Sequence, residues 1–214
     1  MVTVSATFGA GGSAIGPAVA ERLGVPFVDR AIPVAVAAEI GCTVEEALAY
    51  DDRAEHGLAR LLAGASRLPN VTLGGMDVYL PDRNLRPEEE FVARTEQVIR
   101  QTADATGGVF LGRAAAVVLH DRPHALHVRL DGPADRRLDR ALRSAVPEPG
   151  RDMTEWRRRM RRTMEHNDRA RAAYVKHFYR VDPASPGLYH MVLDSTRLPE
   201  ETVVDLIVAA ARAV

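Results

Sequence analysis

Val2-Thr3-Val4-Ser5 is a short β-prone run that stops at a cluster of glycines. Beyond it Ile15, Val19 and Leu23 recur at helical spacing, and Gly24 closes that segment as a helix C-cap. Val25 to Val28 reads as a second strand ending at Asp29, so the chain opens as strand, glycine turn, helix, strand. Residues 30–63 read as two helices broken near Gly41, with Thr43 and Glu46 as a capping box for the second. Gly64, Pro69, Gly74, Gly75, Pro81 and Pro87 then mark a long loop, of a length that usually serves function. The pattern is helical again over 88–106, and Val109-Phe110-Leu111 is a buried strand stopped by Gly112-Arg113. A fourth strand runs from Ala125 to Asp131, and Pro133 introduces a helix over Ala134–Ser144. After a Pro/Gly linker over 145–151, a basic helix occupies 154–178; a fifth strand follows at 190–193 and a closing helix at 200–212. Strands alternating with helices predict a parallel sheet covered on both faces.

The length, 214 residues, suits one domain with an inserted lobe. A net charge of −1 gives no global attraction for nucleic acid or a membrane surface, so affinity for phosphate has to be local. No run approaches the ~18 apolar residues of a membrane span, and the first residues read as a strand and not as a signal peptide. Cys42 is the single cysteine, which excludes a disulfide framework and suits a reducing, cytoplasmic setting. Of 28 basic residues only Lys176 is a lysine. Oligomeric state stays open, a homodimer included.

Candidate chemistry begins at the turn Gly9-Ala10-Gly11-Gly12-Ser13-Ala14. Glycines between a first strand and a first helix let the backbone approach a phosphate, and the helix N-terminus offers it N–H groups and positive dipole. Two patterns compete for it. Gly9-x-Gly11-x-x-Ala14, with Asp29 ending the second strand, fits a dinucleotide fingerprint. Gly11-Gly12-Ser13 also stands where a P-loop ends in Gly-Lys-Ser/Thr, which makes Ser13 the magnesium-binding hydroxyl and puts Gly12 at the lysine position. Arginines then have to neutralise the phosphates.

Two groups of arginines could do so. Arg113 stands at the carboxyl end of a central strand, where open parallel sheets bind ligands. Along the basic helix, Arg158, Arg161 and Arg162 share one face, as do Asp168, Arg171 and Tyr174. Such arginines stabilise charge on transferring phosphoryl oxygens, a use that favours phosphoryl transfer over dinucleotide binding. His120, His124, His127, His166, His177 and His190 are scattered and form no metal spacing.

These pieces in order, Phe8 to Gly12 with Ile15-Gly16, Leu23 to Asp29, Phe110 to Arg113, Asp168-x-x-Arg171-x-x-Tyr174 and Leu193 to Thr196, resemble the cytidylate kinase-like family of P-loop nucleotide kinases. The resemblance implies a three-layer α/β/α fold with a five-stranded parallel sheet. It adds a helical nucleoside-monophosphate-binding insert around 30–87 and a mobile lid around 150–180. It implies ATP or another NTP with Mg²⁺ as phosphoryl donor, and a (deoxy)cytidine-nucleotide-like acceptor. By position, Gly9, Ala10, Gly11, Gly12, Ser13 and Ala14 would hold the donor, with the metal at Ser13. Asp29, Arg113, Asp168 and Arg171 would meet the acceptor, and Arg113, Arg161, Arg162 and Arg171 would be catalytic. The alternatives are a degenerate member that binds a phosphorylated ligand without transfer, and the dinucleotide-binding protein.

Overall fold

The structure is a computed structural model that describes residues 1–28, 87–112, 114–145 and 152–214. Asp29, Arg113, nearly all of the expected insert and residues 146–151 of the linker lie outside the described residues. The chain divides into two compact units, residues 1–29 with 99–214, and residues 30–98. In the second unit the described part is the opening of a helix over Pro87–Ala105.

The first unit holds the sheet. Its strands are β1 (Val2–Ala6), β2 (Phe27–Val28), β3 (Val109–Leu111), β4 (Leu126–Asp131) and β5 (Met191–Asp194), in the order β2-β3-β1-β4-β5. Every pairing is parallel, and helices cover both faces. The helices are α1 (Gly12–Leu23), α2 (Pro87–Ala105), α3 (Ala115–Val118), α4 (Ala134–Ser144), α5 (Met153–Tyr179) and α6 (Glu200–Ala211). Each predicted strand and helix within the described residues forms, with ends moved by a residue or two. The four-residue α3 carries too little periodicity to be read from sequence.

Strand register sorts the two faces of the central pair. Val2, Val4 and Ala6 lie opposite Leu126, Val128 and Leu130. With Ile15 and Val19 of α1 and Val203, Val204 and Ile207 of α6 these residues form the apolar core. A parallel strand buried on both faces is expected to be apolar throughout, but the other face here is polar. Thr3 lies opposite His127 and Ser5 opposite Arg129, a row that ends at Asp131. That row runs the length of the sheet to the glycine turn.

Helix ends follow local chemistry. Gly24, left-handed at φ 65°, caps α1 by donating to the carbonyls of Ala20 and Glu21. Asp152 caps α5 by accepting from the Thr154 amide at 2.8 Å. The span expected to be a lid is, from Met153 to Tyr179, one uninterrupted helix of 27 residues. Its inward face carries Trp156, Met164, Asn167 and Val175, all buried.

Candidate functional site

β1 is central, and the chain leaves it first toward β2 and β3, later toward β4 and β5. At the carboxyl end of such a strand, open α/β sheets bind their ligands. Here that end is the glycine turn. Gly9 and Gly11 adopt φ of 79° and 82°, the left-handed region that side chains disfavour. Gly11 is the N-cap of α1 and no side chain caps the helix. Ala10 donates to the Thr7 carbonyl, and Ala14 and Ile15 to that of Gly11. Among the described residues no protein group accepts from the amides of Gly9, Gly11, Gly12 or Ser13. Four unclaimed N–H groups at the positive end of a helix dipole are the donor set an anion needs.

The neighbours of the turn explain the glycines. A Cβ on Gly9 would strike the backbone carbonyl of Arg137, and one on Gly11 the guanidinium of Arg140. A Cβ on Gly12 would stand 2.7 Å from the Cβ of Ala6 and 3.0 Å from Cδ1 of Leu111. Any side chain at Gly12, the place the sequence reading gives to a P-loop lysine, would therefore press on Ala6 and Leu111.

A lattice of charge surrounds the turn. Arg137, nearly buried, donates from Nε to the Gly132 carbonyl at 2.9 Å, and from Nη1 to the Phe8 carbonyl at 2.8 Å and to Oδ2 of Asp168 at 2.7 Å. Oδ1 of Asp168 accepts the Phe8 amide at 2.9 Å. Asp131, at the end of β4, accepts from Thr7 Oγ1 at 2.9 Å, from the Gly132 amide at 2.8 Å and from Arg129 Nη2 at 2.7 Å. Burial alone would raise the Asp131 carboxyl, but the Gly132 amide, Arg129 and Thr7 outweigh it and hold it below the ordinary range. Burial likewise opposes charge on Arg129, and Asp131 with Tyr189 reverses the direction upward. Arg140 joins the turn to α6 through the Ser195 carbonyl at 2.7 Å and Glu200 at 2.8 Å. Ser195, fully buried, donates to the carbonyl of Ala10 at 2.6 Å.

The expected site residues are distributed unevenly. The turn residues stand together as expected, with Ser13 exposed at the start of α1. Asp168 and Arg171 reach the turn, Arg171 by donating to the Ala6 carbonyl at 2.8 Å. Arg161 turns instead to Asp135 of α4 at 2.7 Å and lowers that carboxyl. Arg162 is exposed on the side of α5 away from its buried face and makes no ion pair among the described residues. Arg113 and Asp29 lie outside the described residues, although Gly112 donates to the Val4 carbonyl at 2.9 Å and brings the end of β3 to β1. Sequence reasoning missed Arg137 and Arg140. Helical phase held a signal for the first, since Arg137 falls on the same face of α4 as Ala134, Leu138 and Ala141.

The histidines are less scattered than expected. His127 and His190 stack with ring centroids 5.0 Å apart, and His190 Nδ1 accepts the His127 amide at 3.0 Å. His127 also meets Thr3 Oγ1 at 2.8 Å, while its Nε2 is buried without a partner. Burial, then the charges of His190 and His120, lower its pKa to about 4. This pair sits at the amino end of the sheet, away from the turn.

A dinucleotide fold with its usual order places the second strand beside the first. Here, among the described strands, β2 pairs with β3 and not with β1, so the dinucleotide reading fails on topology. Strand order and glycine turn together define an α/β protein of the P-loop kinase type. The chain belongs to the cytidylate kinase-like family, whose pattern matches residues 1–197. Among solved structures it is similar to an uncharacterized protein from Eubacterium ventriosum (TM-score 0.64, 15% identity, covering 100% of this chain and 98% of that one). It also matches a shikimate kinase from Bacteroides thetaiotaomicron (TM-score 0.48, 15% identity, 99% and 96% covered). No curated protein matches the sequence. Among the described residues no helix is long and apolar enough to cross a membrane.

Proposed function

We propose that this chain is a nucleotide-binding phosphotransferase that moves a phosphoryl group from ATP, or another NTP with Mg²⁺, to a nucleotide-like acceptor. The observation that carries the reading is the set of unclaimed amides at Gly9, Gly11, Gly12 and Ser13, at the carboxyl end of the central strand. These residues fit a phosphate chain, whose negative charge the amides and the α1 dipole offset. When bound, the metal would supply positive charge against the charge that develops on the transferring phosphoryl group. Among the described residues no group of three or more His, Cys, Asp or Glu could hold an ion; the exposed Ser13 hydroxyl is the ligand this chain would add to those from phosphate and water.

With no lysine at Gly12, cationic stabilisation falls to arginines. Arg171 is exposed beside the end of β1 and is the best placed. Among the described residues Arg162 has no ion pair to give up. Arg113 belongs to the same proposal by its place after β3, with Asp29 toward the acceptor. Losing a positioned cation typically removes about 10²–10³ in rate. The test is a thermal-shift screen of nucleoside mono- and triphosphates with and without Mg²⁺, followed by turnover with each stabilising pair. Stabilisation by a triphosphate plus product from one acceptor supports the assignment; no nucleotide shifting the midpoint would overturn it.

A second reading, binding without transfer, is favoured by the crowding at Gly12 and by Arg137, Arg140 and Arg161 being committed to protein partners. Stabilisation by a nucleotide, with no product from any acceptor, selects it.

A further inference from the structure

We propose that Arg137 and Asp168 are a positioning pair that sets the conformation of the Gly9–Ser13 turn and ties it to α5 without touching the ligand. This deepens the phosphate-cradle reading and rests on it only for its binding arm.

The geometry centres on one residue. Phe8 immediately precedes the left-handed Gly9, and both polar groups of its backbone are held by the two members of one ion pair. Asp168 takes its amide at 2.9 Å and Arg137 its carbonyl at 2.8 Å, while the two side chains join each other at 2.7 Å. The peptides on both sides of Phe8 are thereby held, one through its N–H by Asp168 and the next through its C=O by Arg137, so a change in φ or ψ at Phe8 works against one ion pair. Arg137 also anchors to the Gly132 carbonyl, so the pair is referenced to the end of β4. Oδ1 of Asp131 lies 3.7 Å from its Nε and adds a second carboxylate. Its own backbone carbonyl abuts Gly9.

Residue types follow from this load. A guanidinium presents several donors in a fixed fork and stays charged. A lysine in the same place carries the charge but cannot hold Gly132, Phe8 and Asp168 in one plane. With Arg137 10% and Asp168 24% exposed as side chains, the contacts are shielded from competing water. Arg171, one turn further along α5, adds the bond to Ala6. The position of α5 and the direction of the turn amides are thereby one variable. Preorganised donors bind without an ordering penalty, which is the advantage such a tie gives a phosphate site.

The test uses the full chain with Arg137→Lys, Asp168→Asn and the double variant, which preserve size where alanine could fail to fold. Amide hydrogen exchange is read at Phe8 to Ser13 against Val2 and Val4 of β1, and binding of inorganic triphosphate by calorimetry. Exchange at Phe8 is expected to accelerate at least about tenfold more than at Val4 in each single variant. Triphosphate affinity should fall about tenfold in each, and no further in the double, because the two residues act as one unit. Equal acceleration in turn and core, no acceleration, or an additive double would overturn the proposal; rescue by lysine would too. If wild type shows no triphosphate affinity while exchange behaves as expected, the cradle reading falls and the positioning pair stands.

Discussion

The polar face of the β1–β4 ladder ends in two very different ways. At the carboxyl end Arg129, Asp131, Arg137 and Asp168 are charged, and each is paired. At the amino end His127 and His190 stack, Thr3 is hydrogen-bonded to His127, and one buried ring nitrogen has no partner among the described residues. Both ends bury ionisable groups, and they solve the problem by opposite routes. Arginine cannot shed its proton, so its burial requires partners. Histidine can, so burial leaves it neutral. The end that stays charged is the end beside the glycine turn.

The largest expected effect tests the charged end. Arg137→Ala leaves Asp168 and two backbone carbonyls without their donor and should lower unfolding free energy by about 3–5 kcal/mol in chemical denaturation. A loss under 1 kcal/mol would mean the lattice is incidental.

The neutral end is tested by pH. His127 has a folded pKa of about 4 against 6.5 unfolded, so both states are neutral at higher pH. As pH falls below 6.5 the unfolded chain takes up the proton first, and stability declines until about pH 4, by on the order of 2–3 kcal/mol. His127→Phe should flatten that window. Asp131 acts in a different range: its carboxyl is held below 3.8, so its contribution is complete above that value and is lost only as pH falls through its folded pKa. A single acid transition unaffected by His127→Phe would erase the distinction.

Gly12→Lys sharpens the comparison from inside the turn. If its lysine were merely missing, restoring it would raise nucleotide turnover. With Ala6 and Leu111 against that position the substitution should instead cost about 1–3 kcal/mol and leave turnover no higher. A gain in rate would contradict the crowded-position account.

The smallest effect belongs to Arg161→Ala. Its partner Asp135 is an exposed surface carboxylate, so no resolvable change in the unfolding midpoint is expected in a calorimetric scan. A fall in kcat without a fall in stability would show that Arg161 leaves Asp135 during the reaction.

Much of the fold was legible because its signals are local. Ile15, Val19 and Leu23 announce α1, Gly24 its end, and the run Val109 to Leu111 a central strand. The turn was legible for the same reason, since Gly9 and Gly11 lie where backbone direction demands them. The tie around it was not. Arg137 meets Phe8 across 129 positions and Asp168 across 31, and no periodicity within α4 specifies partners at such separations. The face shared by Asp168 and Arg171 could be drawn from spacing. That this face meets Phe8 and Ala6 depends on tertiary packing.

The scarcity of lysine, which left the turn to its amides and to arginine, has a practical side. Lys176, the single ε-amine of the chain, stands exposed on α5 about 3.6 Å from Asp182. Amine-directed chemistry at this side chain would place a probe on the helix that contacts the turn. Reporter attachment could thus proceed without redesigning the surface.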